Sequence, residues 1–316
     1  MTDERISRVG VIGTGLIGAA WVALFLAKGK TVVAVDPGAG AEQALHAEIN
    51  RVWPDLRRLW GGAESPDFSR LDFHPEIGAH LGTVRFIQES APENAALKRK
   101  LFAELEAWIP AATPIASSTS ALLISDLQPA CKHPERCLAA HPFNPAHLLP
   151  LVEISGGALT GDAVLTQAAE FYRTMGKHPV ILKREIEGHI AGRLSAAMWR
   201  EAVSLVEKGI TSVEDIDAAI RHGPGLRLAI SGPFLSYHFG GGDGGISGYL
   251  EHLGASQQKR WESLGTPELS DELNAEIVEG VEQEVKGATI QELTRERDAL
   301  LLALLRARGD LSDRGA

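Results

Sequence analysis

A histidine and a glutamate twelve positions apart, His141 and Glu153, close the two ends of the stretch HPFNPAHLLPLVE. The residues between them are mostly apolar, and three prolines limit how far the segment can flex. A neutral imidazole can take the proton of an alcohol within about 3 Å, and a carboxylate on its other ring nitrogen fixes the tautomer and stabilises the imidazolium that forms. That is general-base chemistry; the alternative is a satisfied core histidine with a structural ion pair. Other polar residues stand where apolar runs end: Asp36 after KTVVAVD, Glu89 and Glu93 after TVRFIQ, and the run Ser117, Ser118, Thr119 and Ser120 after TPIA.

These side chains need a scaffold that brings strand ends together. RVGVIG is a short run rich in β-branched residues, TGLIGAAWVALFLAKG has helical periodicity, and KTVVAVD is a second buried strand. The turn of this β-α-β unit is GTGLIG. Gly13 permits the tight turn, Gly15 lets backbone approach a pyrophosphate, and Gly18 lets helix and strand pack, with Thr14, Leu16 and Ile17 between them at the helix N-terminus. Asp36, about 20 residues on, is placed to hydrogen-bond the ribose hydroxyls of a bound dinucleotide and to repel a 2′-phosphate. No arginine follows in PGAG, so NAD is expected over NADP. In an open parallel sheet, ligands bind at the carboxyl ends of the strands, so Asp36, Glu93, Ser120 and His141 should converge on one crevice.

From about residue 185 strands give way to long helical patterns. The expected fold is α/β, an N-terminal mostly parallel doubly wound sheet in residues 1–184, followed by an all-α domain in 185–316. HAEINRVWPDLRRLW predicts a helix with a solvated arginine face, TSVEDIDAAIRHG a helix opened by Thr211 or Ser212 and closed by Gly223, and TIQELTRERDALLLALLRARGD a strong amphipathic helix. The stretch 239–248, with six glycines, predicts a flexible loop.

Composition removes several function classes. The 316 residues are 44% hydrophobic and carry 31 basic against 41 acidic residues, a formal charge of −10 with no broad footprint for nucleic acid or an anionic membrane. The two cysteines, Cys131 and Cys137 in CKHPERC, match neither a zinc site nor a disulfide scaffold, and predict reduced thiols in a cytoplasmic protein without a metal. The N-terminal segment has no cationic leader with a long apolar run, and no segment reaches the ~20 apolar residues of a membrane span.

The glycine fingerprint, IQESAPENAALK, SSTSALLISDL, HPFNPAHLLPLVEISGG and EGHIAGRL stand in the order and at the intervals of the 3-hydroxyacyl-CoA dehydrogenase superfamily, which the chain resembles over essentially its whole length. The resemblance implies an N-terminal Rossmann domain, a C-terminal helical domain that forms a homodimer, and NAD-dependent oxidation of a hydroxyl β to a carboxyl or thioester carbonyl. It implies His141 as catalytic base and Glu153 as the carboxylate orienting it. Ser120 and Asn144 fall beside the reacting carbon and the nicotinamide, and Glu93 and Lys98 on positions that help hold the cofactor.

Two departures bear on the substrate. The acyl-CoA members usually read PGFIxNRL, whereas Glu187 replaces the proline here and Gly192 the asparagine. With SSTS, HPFNP, LLPLVE and GLRLAISGPF, these departures make the chain more similar to the branch that oxidises carnitine and gulonate, and within it the loop GGGDGGISGYLEHLG and the ending TIQELTRERDALLLALL resemble the carnitine members. That similarity implies L-carnitine as substrate, with L-gulonate or 3-hydroxybutyryl-CoA as alternatives. A trimethylammonium group needs aromatic faces and close walls. Phe143, Trp199, Phe234, Tyr237 and Phe239 could supply faces, and Gly188, Ile190, Ala191 and Gly223 would shape a small pocket at the domain interface. A crystallin-like or nucleotide-sensing protein without turnover is the non-enzymatic alternative.

Overall fold

The computed structural model describes residues 6–309. The chain opens with β1 (Arg8–Ile12), α1 (Leu16–Ala27), β2 (Thr31–Val35) and α2 (Ala41–Trp60), then β3 (Leu71–His74), β4 (Ile87–Glu89), α3 (Ala95–Leu105), β5 (Ile115–Ser117) and α4 (Ile124–Leu127). There follow β6 (Cys137–Pro142), β7 (Leu151–Gly156), α5 (Asp162–Thr174) and β8 (His178–Ile181). The eight strands form one sheet in the order β3-β2-β1-β4-β5-β6-β7-β8. Every neighbouring pair is parallel except β6 with β7.

The period-2 alternation of the strands builds a core on each face of the sheet. On β2, Val32 and Ala34 join one cluster while Val33 and Val35 join the other. On β6, Leu138 and Ala140 divide in the same way from Cys137 and Ala139. Helix α1 is buried at every residue from Gly18 to Leu26, which is why its sequence is apolar all round rather than on one stripe. Helix α2 is instead amphipathic: Leu45, Ile49, Val52, Trp53, Leu56 and Leu59 are buried, and Arg51, Arg57 and Arg58 are exposed on the wet side as expected. Each fully buried valine, leucine or isoleucine is worth roughly 1.5–3 kcal/mol, so both faces are strongly held to the sheet.

The remaining elements are helices: α6 (Ala191–Glu207), α7 (Val213–His222), α8 (Pro224–Ile230), α9 (Pro233–Gly240), α10 (Gly245–Glu262), α11 (Asp271–Val285) and α12 (Ile290–Ala307). By internal contacts, residues up to 192 group with those from 297 onward, and residues 193–296 form a second unit. The first unit thus includes most of α12, whose Leu302 and Leu305 pack on Leu59 of α2 and Leu148. The second unit is helical, with Val203, Val206, Ile216 and Leu273 at its core. Ser212 caps α7 by accepting from the Asp215 N–H at 3.1 Å, and Gly223 ends it, as the sequence predicts. No helix among the described residues is long and apolar enough to cross a membrane.

The expected flexible loop at 239–248 is a correction. Gly240 ends α9, Gly245 and Gly248 lie in α10, and a short 3-10 turn at Gly242–Gly244 joins the two helices. A Cβ on Gly241 would stand 1.7 Å from the Gly245 carbonyl oxygen, and Gly245 itself has φ +56°. The glycines make a tight helix-to-helix junction possible rather than leaving a loop free.

Candidate active site

The glycine motif has the geometry its spacing predicts. Gly13 sits at φ +88°, and a Cβ there would meet the Ser90 carbonyl at 2.7 Å; a Cβ on Gly18 would meet the Gly13 carbonyl at 1.9 Å. Nothing lies within 4 Å of where a Gly15 Cβ would point, so this position leaves room for a ligand at the start of α1. Asp36, one residue past β2, accepts from Thr14 N at 2.7 Å and Thr14 Oγ1 at 3.0 Å through one oxygen and from Gly38 N at 2.8 Å through the other. The carboxylate therefore braces the glycine turn and also lines a cavity.

Two cavities open along the carboxyl ends of the strands. One, of about 830 Å³, is lined by Gly13, Gly15, Asp36, Pro37 and Ile77 among others; the other, of about 630 Å³, by Ile17, Glu93, Lys98, Ser120, His141, Phe143, Asn144, Gly188 and Gly192. Ser90 and Ala91 line both. Two adjoining cavities, one ending on the Asp36 carboxylate and the other on an imidazole, suit the two halves of a dinucleotide astride the switch point between β1 and β4.

The wall between them rests on a buried ion pair. Lys98 Nζ lies 2.7 Å from Glu89 Oε1, with both side chains buried, and also donates to the Ala91 carbonyl at 3.0 Å. Glu89 accepts further from Ala91 N at 2.7 Å and from the Ser117 hydroxyl. Lys98 lines the cavity, yet its ammonium is committed to holding the Ser90–Ala91 turn in place. Glu93 works on the neighbouring turn: Oε1 accepts from the Thr119 hydroxyl and from Ser120 N and Ala121 N, both at 3.0 Å, and Oε2 is 3.5 Å from Lys98. Burial disfavours its charge, but these donors and the Lys98 ammonium outweigh that and hold the carboxyl below its usual range. Glu93 stays ionised and presents the exposed Ser120 at the cavity.

His141 and Glu153 face each other directly across the antiparallel β6-β7 ladder, which explains their separation in sequence. His141 Nδ1 is 3.1 Å from Glu153 Oε2. The other glutamate oxygen accepts from Ile190 N at 2.8 Å and Ala191 N at 2.9 Å, the free N–H groups at the start of α6. Burial opposes the charge of Glu153, but the histidine and these two N–H donors prevail and lower its pKa. An ionised carboxylate can only accept, so Nδ1 carries a proton and donates; in the neutral form of the ring the lone pair is then on Nε2, which has no partner among the described residues.

Of the expected site residues, Ser120, His141, Phe143, Asn144, Gly188, Glu93, Lys98 and Ile17 come together at this cavity, with Glu153, Ile190 and Ala191 behind the imidazole. Thr14 is buried in the glycine turn and Leu16 is exposed at the start of α1. Gly223 is not among the residues lining either cavity; it belongs to the second unit, at the junction of α7 and α8, where a Cβ would meet the Ala219 carbonyl at 2.6 Å. Trp199, Phe234, Tyr237 and Phe239 also belong to the second unit.

Sequence reasoning missed His189. Its backbone takes φ +50°, its ring stacks on His141 with centroids 4.8 Å apart at 13°, and Nε2 is 3.0 Å from the Thr119 carbonyl. Burial, the largest influence, lowers the pKa of this histidine, with the adjacent His141 acting in the same direction and the hydrogen bond to Thr119 opposing them. The available signal was a histidine where the acyl-CoA pattern PGFIxNRL has phenylalanine. Ser90 and Ser118 were also unassigned: their hydroxyls lie 2.9 Å apart, and Gln88 Nε2 donates to Ser118 at 2.9 Å.

A glycine-turn dinucleotide cleft with a carboxylate-held imidazole at its far end defines a nicotinamide-dependent alcohol dehydrogenase. Comparison with known proteins specifies it. Residues 8–186 match the 3-hydroxyacyl-CoA dehydrogenase NAD binding domain and residues 188–266 the 3-hydroxyacyl-CoA dehydrogenase C-terminal domain. The chain belongs to the 3-hydroxyacyl-CoA dehydrogenase family, and its cofactor is NAD. It is 42% identical over 305 residues to L-carnitine dehydrogenase of Bacillus cereus, covering 96% of this chain and 93% of that one. It is 43% identical over 303 residues to L-carnitine dehydrogenase of Pseudomonas aeruginosa, covering 96% and 94%. Among solved structures it is similar to 5-formyl-3-hydroxy-2-methylpyridine 4-carboxylic acid 5-dehydrogenase, an NAD+ dependent dismutase (TM-score 0.79, 25% identity, 96% and 98% covered). It is also similar to 3-hydroxybutyryl-CoA dehydrogenase of Escherichia coli (TM-score 0.64, 29% identity, 74% and 49% covered).

Proposed function

We propose that this NAD-dependent dehydrogenase oxidises the 3-hydroxyl of L-carnitine to 3-dehydrocarnitine, with His141 as general base. The observation that carries the mechanism is the His141–Glu153 pair, which turns Nδ1 to the carboxylate and leaves Nε2, on a ring that lines the cavity, as the nitrogen available to substrate. NAD, when bound, is the two-electron acceptor for the hydrogen on the carbinol carbon. His141 Nε2 takes the hydroxyl proton as the carbonyl forms, and Glu153 stabilises the resulting imidazolium. Ser120, presented by Glu93, is positioned to hydrogen-bond the reacting oxygen. Asn144 would stand on the nicotinamide side, and Gly13 to Gly18 with Asp36 would hold the adenosine end.

Relatives at about 42% identity over nearly the whole chain support carnitine as the substrate. Phe143, two residues from the base and on the cavity wall, offers a ring face to the trimethylammonium group. The absence of an asparagine at Gly192 argues against the acyl-CoA substrates of the wider family. The test is initial NADH formation at 340 nm with NAD and a panel of 3-hydroxy substrates. L-carnitine should exceed L-gulonate and 3-hydroxybutyryl-CoA in kcat/KM by at least about tenfold, a gap of ~1.4 kcal/mol in transition-state binding. Turnover of gulonate or the acyl-CoA with none of carnitine would overturn the substrate, and NAD binding with turnover of nothing would favour a nucleotide sensor.

We also infer a homodimer built through the helical unit, in the cytoplasm. Phe234, Phe239, Trp261 and Leu226 are each more than half exposed in that unit, large apolar side chains of the kind a second copy would cover. The two free cysteines accord with a reducing compartment. Light scattering on the purified chain decides the oligomeric state; a monomer at micromolar concentration would overturn the dimer.

A further inference from the structure

Cys131 and Cys137 lie at the end of β6 remote from His141. Cys137 opens the strand and is fully buried, while Cys131 is partly exposed just after the short 3-10 turn at Gln128–Ala130. Their Sγ atoms are 3.6 Å apart, with the Cys137 thiol directed at Cys131. The segment between them is fastened at several points. Glu106 accepts from Lys132 N at 2.6 Å and His133 N at 2.8 Å, and pairs with the buried Arg136 at 3.1 Å. Arg136 donates in turn to the carbonyls of Pro110 at 2.7 Å and Ala111 at 3.1 Å, and Gln128 Nε2 reaches the Pro134 carbonyl at 3.0 Å. The contact between the thiols is therefore set by a braced loop.

We propose that Cys131 and Cys137 form a modification site, a thiol pair that a peroxide-class oxidant converts reversibly into an intramolecular disulfide. The two sulfurs differ in the way such a reaction requires. The hydrogen bond from Cys137 is the main influence lowering the Cys131 pKa, whereas the same contact and burial raise that of Cys137. Cys131 is the nucleophile: its thiolate attacks one peroxide oxygen, the O–O bond breaks, and a sulfenic acid forms with loss of hydroxide or alkoxide. Cys137 then attacks the Cys131 sulfur, the S–S bond forms, the S–O bond breaks, and the departing hydroxide leaves as water with the Cys137 proton. Two thiols have lost two electrons and two protons, and the peroxide has taken them up. From 3.6 Å the sulfurs must close by about 1.5 Å to reach bonding distance. External thiol reverses the bridge by exchange.

The sequence makes the test direct on the wild-type chain. Trypsin cuts after Lys132 and after Arg136, so Cys131 falls on peptide 101–132 and Cys137 on peptide 137–173. The folded protein, checked by NADH binding, is treated with hydrogen peroxide, alkylated and digested without reductant. The expected product is the cross-linked pair of peptides, about 2 mass units lighter than their sum, formed with simultaneous loss of both titratable thiols and returned to separate peptides by dithiothreitol. In Cys137→Ser, dimedone should trap a sulfenic acid at Cys131; in Cys131→Ser, oxidation should slow at least about tenfold, because the remaining thiol is buried. Separately alkylated peptides after excess peroxide, a bridge only between two chains, or faster oxidation of Cys137 than of Cys131 would each overturn the proposal.

Discussion

Replacing Glu153 with glutamine should stop catalysis while leaving the fold and cofactor site nearly intact, because the change acts on one proton. The carboxylate serves two partners: Oε2 faces His141 Nδ1 at 3.1 Å, and Oε1 accepts from Ile190 N and Ala191 N. A glutamine has one accepting oxygen, and the two backbone N–H groups claim it. Its NH₂ then turns toward Nδ1 and can only donate, so the neutral imidazole must carry its proton on Nε2, the nitrogen that has to receive the substrate proton. The variant also loses the charge that stabilises the imidazolium. At 3.1 Å and an effective dielectric constant near 20, that attraction is about 5 kcal/mol before desolvation is counted. A net loss of about 3–5 kcal/mol corresponds to a fall in kcat of roughly 10²–10⁴-fold. The assay is kcat by NADH absorbance with carnitine at saturation, beside NADH affinity by fluorescence titration. Unchanged affinity with the expected fall would locate the defect in proton transfer. A kcat within about threefold of wild type, with a primary isotope effect showing that chemistry limits the rate, would refute the tautomer argument and the role of His141 with it.

The other sites make smaller or different demands. His189→Phe keeps a ring against His141 but removes the donor to the Thr119 carbonyl, a hydrogen bond worth about 1 kcal/mol. kcat should fall about fivefold with NADH affinity unchanged, and an unaltered kcat would make the stacking incidental. Asp36→Arg should lower the ratio of kcat/KM for NAD over NADP at least about tenfold, since it removes the ribose acceptor and the brace on Thr14 together; an unchanged ratio would remove Asp36 from cofactor selection. His147 is buried and its pKa is lowered to about 3, by burial first and then by Lys177, Arg51 and Arg297. Between pH 6.5 and about 3 the unfolded chain binds a proton that the folded chain refuses, so stability rises with pH through that window and is level above it. Urea melts should lose about 3 kcal/mol at this residue between pH 7.5 and 4.5. His147→Gln should lose correspondingly less across that interval, and an unchanged difference would contradict the assignment.

What could be read from the sequence was local, and what could not was set by distant neighbours. The alternation in β1 and β2, the Gly13 to Gly18 spacing and the acid at Asp36 each follow from a few consecutive residues, so the dinucleotide half of the site was legible. His141 and Glu153 could be paired by chemistry, but their direct opposition depends on β7 running antiparallel to β6, a choice made by the turn between them. Glu89 was visible as a strand-end acid and Lys98 as a cofactor position, but nothing in the sequence paired them across nine positions. Only a strand end packed beneath a helix start buries both, and a buried pair of this kind breaks severely when one partner is removed. The glycines at 239–248 mark the boundary most clearly. Their composition reads equally as freedom or as close approach, and the two are separated only by what would occupy the space of a missing Cβ. At Gly15 that space is open, which makes the position a place for a ligand. At Gly241 it is filled by the Gly245 carbonyl, so there the absent side chain joins two helices.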